Sequence, residues 1–324
     1  MNTEKFTELS NIKTVENIAE VITNEDYRSG FDVTIIGLGA MGTIMARAFL
    51  KQGKRVAIWN RSSDKAETLV AAGAHFCESV ETALKASPVT ICVLLDGTVL
   101  RETLGADSVA DALTNCTIVN FTTGSEEDDL FLQKLINSAN GHYVKGMVVA
   151  YPRNVGHRES YCIYTSSDHE AFEQHRELLE VLSGKILFLP KAEALAFATM
   201  LHAYSFTAMV AFYESVGASL HFGMSLPKMA RLLLDASRFF ITDALEDAVR
   251  RLEEQDFSGD QARLDVHTSA FEYIAESMHT GGASTPIFDA VCRVVERAQS
   301  MGYGDQDIAA TTKSFASNIT NYTN

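Results

Sequence analysis

The sequence predicts an α/β protein in two parts: a mostly parallel sheet covered by helices on both faces, then an all-α part reached through one long helix. Three observations predict this. Up to Leu189, short β-branched runs alternate with segments of helical spacing, which is the pattern of βαβ units. A glycine-rich turn, Gly37-x-Gly39-x-x-Gly42, lies directly between the first strand run and the first helical run. After Pro190 the strand pattern stops, and long stretches rich in Ala, Leu, Phe and Met take over.

Taken in chain order, the run Val-Thr-Ile-Ile at 33–36 is the first strand, and 42–52 is a helix that ends at Gly53. The apolar run Val-Ala-Ile-Trp at 56–59 is the second strand, and 63–72 has helical spacing. Further strands are expected at 89–95, 117–121, 143–149, 161–164 and 186–189, with a helix over 126–139. From 191 to 222 there is no proline and a single glycine, Gly217. At ~1.5 Å per residue this stretch makes a helix on the order of 45 Å long, too long for one small domain to bury. Helices follow at 226–254, 261–278 and 286–301, with a short last piece at 305–316. The expected domains are an extension (1–29), a nucleotide-binding domain (30–190), an interdomain helix (191–222) and a helical domain (223–324).

Composition narrows the function. The chain has 324 residues, 46% hydrophobic and 21% charged, with a formal net charge of −15. An acidic protein of this kind repels nucleic acid and anionic membrane, leaving room only for a local basic pocket. Continuous apolar runs fall short of the roughly 18 residues that span a bilayer. The first 28 residues carry Glu4, Glu8, Glu16, Glu20, Glu25 and Asp26, a charge pattern unlike that of a signal or transit peptide. Cys77, Cys92, Cys116, Cys162 and Cys292 form neither a CxxC pair nor a Cys/His cluster. Reduced thiols, no metal and a cytoplasmic location are the expectation.

The glycine turn sits in complete context: strand, Gly37-Leu38-Gly39-Ala40-Met41-Gly42, helix, next strand. Gly37 permits the tight turn, Gly39 lets the backbone approach a pyrophosphate, and Gly42 allows helix and strand to pack closely; the pyrophosphate then lies on the helix N-terminus. This is the dinucleotide-binding unit of a Rossmann domain. In such a unit the second strand usually ends in an acid that binds the ribose 2′-OH of NAD. Here it ends in Asn60-Arg61-Ser62, with Lys65 one turn later. Arg61 can meet a 2′-phosphate with its guanidinium fork while stacking on adenine, and Ser62 and Lys65 add a donor and a charge. The cofactor expected is NADPH. Leu94 and Leu95 after one strand, and Thr122 and Thr123 after the next, should line the cofactor cleft, the threonines on the nicotinamide side.

The stretches "GLGAMG", "WNRSSDK", "NFTTG" and "GMVVAYPRNVG", with the long helix after Pro190, resemble the imine reductases and reductive aminases. These belong to the 6-phosphogluconate dehydrogenase-like superfamily. The resemblance covers about residues 30 to 318 and includes "GYGDQDIAA" near the end. It implies a Rossmann domain joined by the long helix to a helical bundle, and homodimers with interlocked C-terminal helices. It also implies NADPH-dependent hydride delivery to a cyclic imine or iminium, in specialised metabolism.

At the catalytic position the chain departs from the family. Where the resemblance implies an Asp or Tyr on the long helix there is Thr199, and a second family position, often Tyr, is Thr207. Aliphatic hydroxyls are too weakly acidic to donate a proton at neutral pH. Hydroxyacid dehydrogenases of the superfamily use a lysine and an asparagine here; Thr199 and Ala203 stand in those places. His202, one turn on, and His267 in "RLDVHTSAF" are the titrating candidates, with Tyr204 off the face that carries Thr199. Each is also readable, and more simply, as a packed or rim side chain. A substrate that arrives as an iminium needs no acid. Phe206, Tyr213, Phe239, Phe240, Phe271 and Tyr273 would suit an apolar or cationic substrate, or serve as plain core. Two other readings stay open: a carbonyl or hydroxyacid reductase, and an NADPH-binding protein without turnover.

Overall fold

The computed structural model describes residues 30–315; the expected extension at 1–29 and the last residue of the expected helix at 305–316 lie outside them. The chain divides into two compact units, Met1–Met200 and Leu201–Asn324.

The first unit is an eight-stranded sheet. Its strands are β1 (Val33–Ile36), β2 (Val56–Trp59), β3 (His75–Phe76), β4 (Val89–Cys92), β5 (Thr117–Asn120), β6 (His142–Val149), β7 (Tyr161–Thr165) and β8 (Lys185–Phe188). The order across the sheet is β3-β2-β1-β4-β5-β6-β7-β8. Pairing is parallel throughout except between β6 and β7. The helices between strands are α1 (Ala40–Lys51), α2 (Glu67–Val70), α3 (Val80–Ala86), α4 (Gly97–Leu104), α5 (Glu126–Ser138), α6 (His169–Glu173) and α7 (Arg176–Leu179).

β1, β4 and β5 are buried along their whole length. Their side chains therefore feed two cores. One joins Val33, Ile35, Ile58 and Ile91 to Met45 and Phe49 of α1 and to Phe172 and Leu179 beyond. The other joins Ile36, Cys92 and Ile118 to Leu84, Leu100, Leu132 and Ile136 of α3, α4 and α5. Strands buried on both faces explain why these runs are continuously apolar rather than alternating.

The strands expected from sequence are all present, and those at 89–95, 117–121 and 186–189 end one to three residues early. β3 was not expected: it is two residues long, and only its pairing with β2 marks it as a strand. The helix expected at 42–52 starts two residues earlier, at Ala40. The segment 63–72 is a 3-10 turn followed by the single α-turn of α2.

The long helix is α8 (Lys191–Ala218), continued by a 3-10 turn to Phe222. In the first unit its Ala194 and Ala198 pack against Ile163, and Lys191 pairs with Glu126 at 2.9 Å. One expectation needs correction. By length and composition, 191–222 is apolar enough to cross a membrane. No unbroken apolar run reaches that length; the average does, because Thr, Ser, His and Tyr replace charges along it.

The second unit adds α9 (Leu226–Glu254), α10 (Leu264–Thr280) and α11 (Pro286–Ala298). The helix expected from 261 begins at Leu264, because Ser258 and Arg263 form isolated bridges with Gln306 and Asp307. The carboxylate of Glu214 accepts from the backbone N–H groups of Ile287 and Phe288 at 2.8 and 3.0 Å and so caps α11. Arg251, 1% exposed, donates to Asp247 at 2.6 Å, to Asp260 at 2.5 Å and to the Ser258 carbonyl at 2.9 Å. A buried guanidinium is tolerated only when its donors are matched in this way.

Candidate functional site

Parallel strands β2, β1, β4, β5 and β6 all end at one edge of the sheet, the edge at which such sheets bind ligands. The glycine turn opens there. Gly37 has φ +101, and a Cβ on it would collide with the Val93 carbonyl. A Cβ on Gly42 would collide with the Gly37 carbonyl. Around Gly39 there is nothing within 4 Å of a Cβ position. The turn is thus closed where it packs and open where a ligand would approach. Gly39 is the N-cap of α1 with no side-chain cap, and the first turn holds no acid. These features fit the pyrophosphate of a dinucleotide.

Leu38 and Met41 contribute side chains to the core, so only their backbone is at the turn; Ala40 is exposed. Asn60 has both side-chain polar atoms engaged within the chain. Its Oδ1 accepts from the Leu38 N–H at 3.0 Å and its Nδ2 donates to the Ser62 carbonyl at 2.9 Å. It ties the glycine turn to the end of β2. Arg61, Ser62 and Lys65 follow, all exposed.

At the end of β4, Leu94 packs into the core while Leu95 is 84% exposed. At the end of β5 the structure splits the two threonines. Thr123 is exposed. Thr122 is 1% exposed, and its hydroxyl accepts from the Leu94 N–H at 3.0 Å and reaches the Cys92 carbonyl at 3.4 Å. Thr122, expected on the nicotinamide side, has its side chain buried and linking two strand ends.

A cluster not foreseen from sequence supports that link. Lys145 donates to the Thr122 carbonyl at 2.8 Å and to Asp129 at 3.0 Å. The Tyr143 hydroxyl donates to Asp129 at 2.7 Å and accepts from Asn120 at 2.9 Å. Asn120 Oδ1 in turn accepts from the Thr122 N–H at 2.8 Å. Burial and the neighbouring Asp129 carboxylate hold the Tyr143 hydroxyl far above its ordinary pKa, so it stays a neutral donor. The sequence signal was a lysine in the middle of a strand run. Its partner lies 16 residues away, and nothing local reveals it.

The catalytic candidates fall in both units. Thr199 is exposed on α8 in the first. In the second, His202 is exposed and stacks on Phe206 with ring centroids 6.2 Å apart, and Thr207 is exposed. His267 is half-buried beside Phe271 at 5.9 Å. Of the aromatics read as substrate contacts or core, Phe271 is half-buried and packs on Phe288. Phe206, Tyr213, Phe239, Phe240 and Tyr273 are exposed, Phe239 at 75% and Phe240 at 69%.

Comparison with known proteins gives this geometry a family. Residues 32–189 match the NAD binding domain of 6-phosphogluconate dehydrogenase. Residues 192–317 match the C-terminal domain of NADPH-dependent reductive aminase-like proteins. A structure from Pseudomonas putida KT2440, described only as an oxidoreductase, is 66% identical with a TM-score of 0.87, covering 91% of this chain and all of that one. The chain belongs to the reductive aminase and imine reductase family. Within it, an imine reductase from a Pseudomonas species is 29% identical, with a TM-score of 0.80 over 89% of this chain and all of that one. An NADPH-dependent reductive aminase from Aspergillus oryzae is 24% identical, spanning 87% of this chain and 96% of its own length. The resemblance read from the sequence is borne out, and the two family models meet within residues 189–192, at the start of α8.

Proposed function

We propose that this protein is an NADPH-dependent reductase acting on the C=N bond of a cyclic imine or iminium, as a homodimer. The end of β2 is the observation that carries the cofactor choice. It presents Arg61, Ser62 and Lys65 in solvent, with Asn60 rather than an acid at the strand end and the nearest carboxylate, Asp64, in the turn that follows, which favours a 2′-phosphate over a bare ribose. The open turn at Gly39 and the uncapped start of α1 would take the pyrophosphate, and Leu95 and Thr123 would line the nicotinamide side. The cofactor supplies hydride; the chain binds, orients and excludes water.

Thr199 and Ala203 on α8 support C=N over C=O chemistry. A ketone needs a proton as it takes hydride, and neither residue can supply one. A protonated iminium needs none. His202 and His267 are the groups of the second unit proposed to move a proton if the imine arrives neutral. Thr207, Phe206, Tyr213, Phe239 and Phe240 are proposed to hold an apolar or cationic substrate by shape and cation–π contact. Their exposure, with that of Leu232, Leu234 and Val249, is more apolar surface than one copy leaves bare without purpose, and a second copy is proposed to cover it.

The test follows NADPH oxidation with 1-pyrroline and with a 2-ketoacid control, on protein whose mass is checked by light scattering. The expected result is turnover of the imine alone, by a species of twice 35.5 kDa. Faster turnover of the ketoacid would replace the proposal with hydroxyacid chemistry. Tight NADPH binding without oxidation by either would make the protein a silent cofactor binder.

A further inference from the structure

We infer that Arg153 binds a carboxylate on the substrate, so that the preferred substrate is a cyclic imine or iminium carrying a carboxylate group. This rests on the reading above and narrows its substrate class. β6 is the last strand to end at the ligand edge in the parallel order, next to β5. A dinucleotide that enters at β2 with its adenine end places its reactive ring toward β5 and β6. The connection that leaves β6 runs Ala150-Tyr151-Pro152-Arg153, and its 3-10 turn, Pro152–Asn154, packs against α1. The turn is anchored from below by Val155 in the core and by the Gly156 N–H, which donates to the Leu182 carbonyl at 2.7 Å. Arg153 is exposed, its guanidinium 4.8 Å from the centroid of the Tyr151 ring.

Within the first unit, charge pairing sets Arg153 apart. In a chain of net charge −15, acids outnumber the basic groups that could pair with them. In the first unit Arg55, Arg101, Arg158 and Arg176 each pair with a carboxylate, and Arg47 donates to Thr68. The lysines nearest this end are also matched, Lys145 with Asp129 and Lys185 with Glu159. Among the described arginines of the first unit, Arg61 and Arg153 have neither a carboxylate nor a side-chain hydrogen-bond partner. They stand at the two ends of one ligand edge. The first has its anion in the proposed 2′-phosphate. The second is left with a rigid fork of donors that matches two carboxylate oxygens, oriented on an aromatic face. An acidic protein would otherwise repel an anionic substrate; one fixed guanidinium reverses this locally.

The test compares 1-pyrroline with 1-pyrroline-2-carboxylate at saturating NADPH, for the wild type, R153M and R153K. NADPH affinity is read separately by fluorescence and folding by Tm. The wild type should favour the carboxylate in kcat/KM. R153M should lose about 10–100-fold more with the carboxylate than with 1-pyrroline, chiefly in KM, and R153K should recover part of that loss. NADPH affinity should stay within about twofold. Equal losses on both imines, or a matching loss of NADPH affinity, would overturn the inference by making Arg153 a structural or cofactor residue. Reduction of both imines without preference by the wild type would overturn it while the proposed function stands. NADPH binding with neither imine reduced would overturn both.

Discussion

Single residues carry the cofactor end of this protein, each for a separable reason. Gly37 needs a backbone conformation that side chains resist and space that the Val93 carbonyl occupies; Gly42 needs contact with the turn itself; Gly39 needs emptiness. Asn60 is spent on aligning turn and strand, which leaves Arg61, Ser62 and Lys65 for the proposed phosphate. Arg61→Ala should weaken NADPH by about 10–100-fold, the worth of a charge-assisted hydrogen bond of roughly 1.5–3 kcal/mol, and NADH far less. Fluorescence titration with both cofactors checks this, and equal loss for the two would remove Arg61 from the phosphate site. These residues were legible because glycine placement and the absence of an acid are local features of one short stretch. Thr122 was not. Its place in the chain says loop, whereas its hydroxyl serves the Leu94 N–H, 28 residues away.

At the scale of elements, the site is held by what lies between strand ends. β6 contributes Lys145 and Tyr143, α5 contributes Asp129, and β5 contributes Asn120, so three elements meet around one carboxylate. Together they clamp both the N–H and the carbonyl of Thr122, ahead of the Thr123–Gly124 turn. Lys145→Met would leave Asp129 and the Thr122 carbonyl short of a donor, at a cost of about 1–3 kcal/mol. We expect a lower Tm together with weaker NADPH binding, both partly restored in Lys145→Arg. An unchanged NADPH affinity would confine the cluster to the fold. Strand existence was readable from β-branched runs, and helix ends less so. The two-residue β3 and the short α2 depend on neighbours rather than on any periodicity of their own, since fewer than two turns of helix or three residues of strand carry no period.

Across the whole molecule, charge governs the response to acid. Arg251 is buried amid carboxylates whose native state is ionised. Hydrogen bonds from Arg251 hold Asp247 and Asp260 below the ordinary carboxylate range, and the Ser258 hydroxyl does the same first for Asp256. Groups with lowered native pKa values stabilise fully above their unfolded value of about 3.9 and lose that contribution as pH falls through the native values. Stability should therefore be flat from neutral pH down to the ordinary carboxylate range and drop below it. Asp260→Asn should lower Tm at pH 7 and shrink the drop below pH 4; Tm measured from pH 7 to pH 3 decides, and an unaltered acid limb would refute the assignment.

The sequence by itself determined the α/β-then-α plan, the dinucleotide turn and the phosphate-compatible strand end. Each of these is written in residues adjacent in the chain, and local backbone preference and apolar periodicity act over that range. Only the tertiary structure decided that Thr122 faces inward, that Lys145 is neutralised by Asp129, and that Arg153, at the β6 end of the ligand edge, has no acid partner among the described residues. Those depend on which strand ends lie side by side, and strand order is set by packing between residues tens of positions apart.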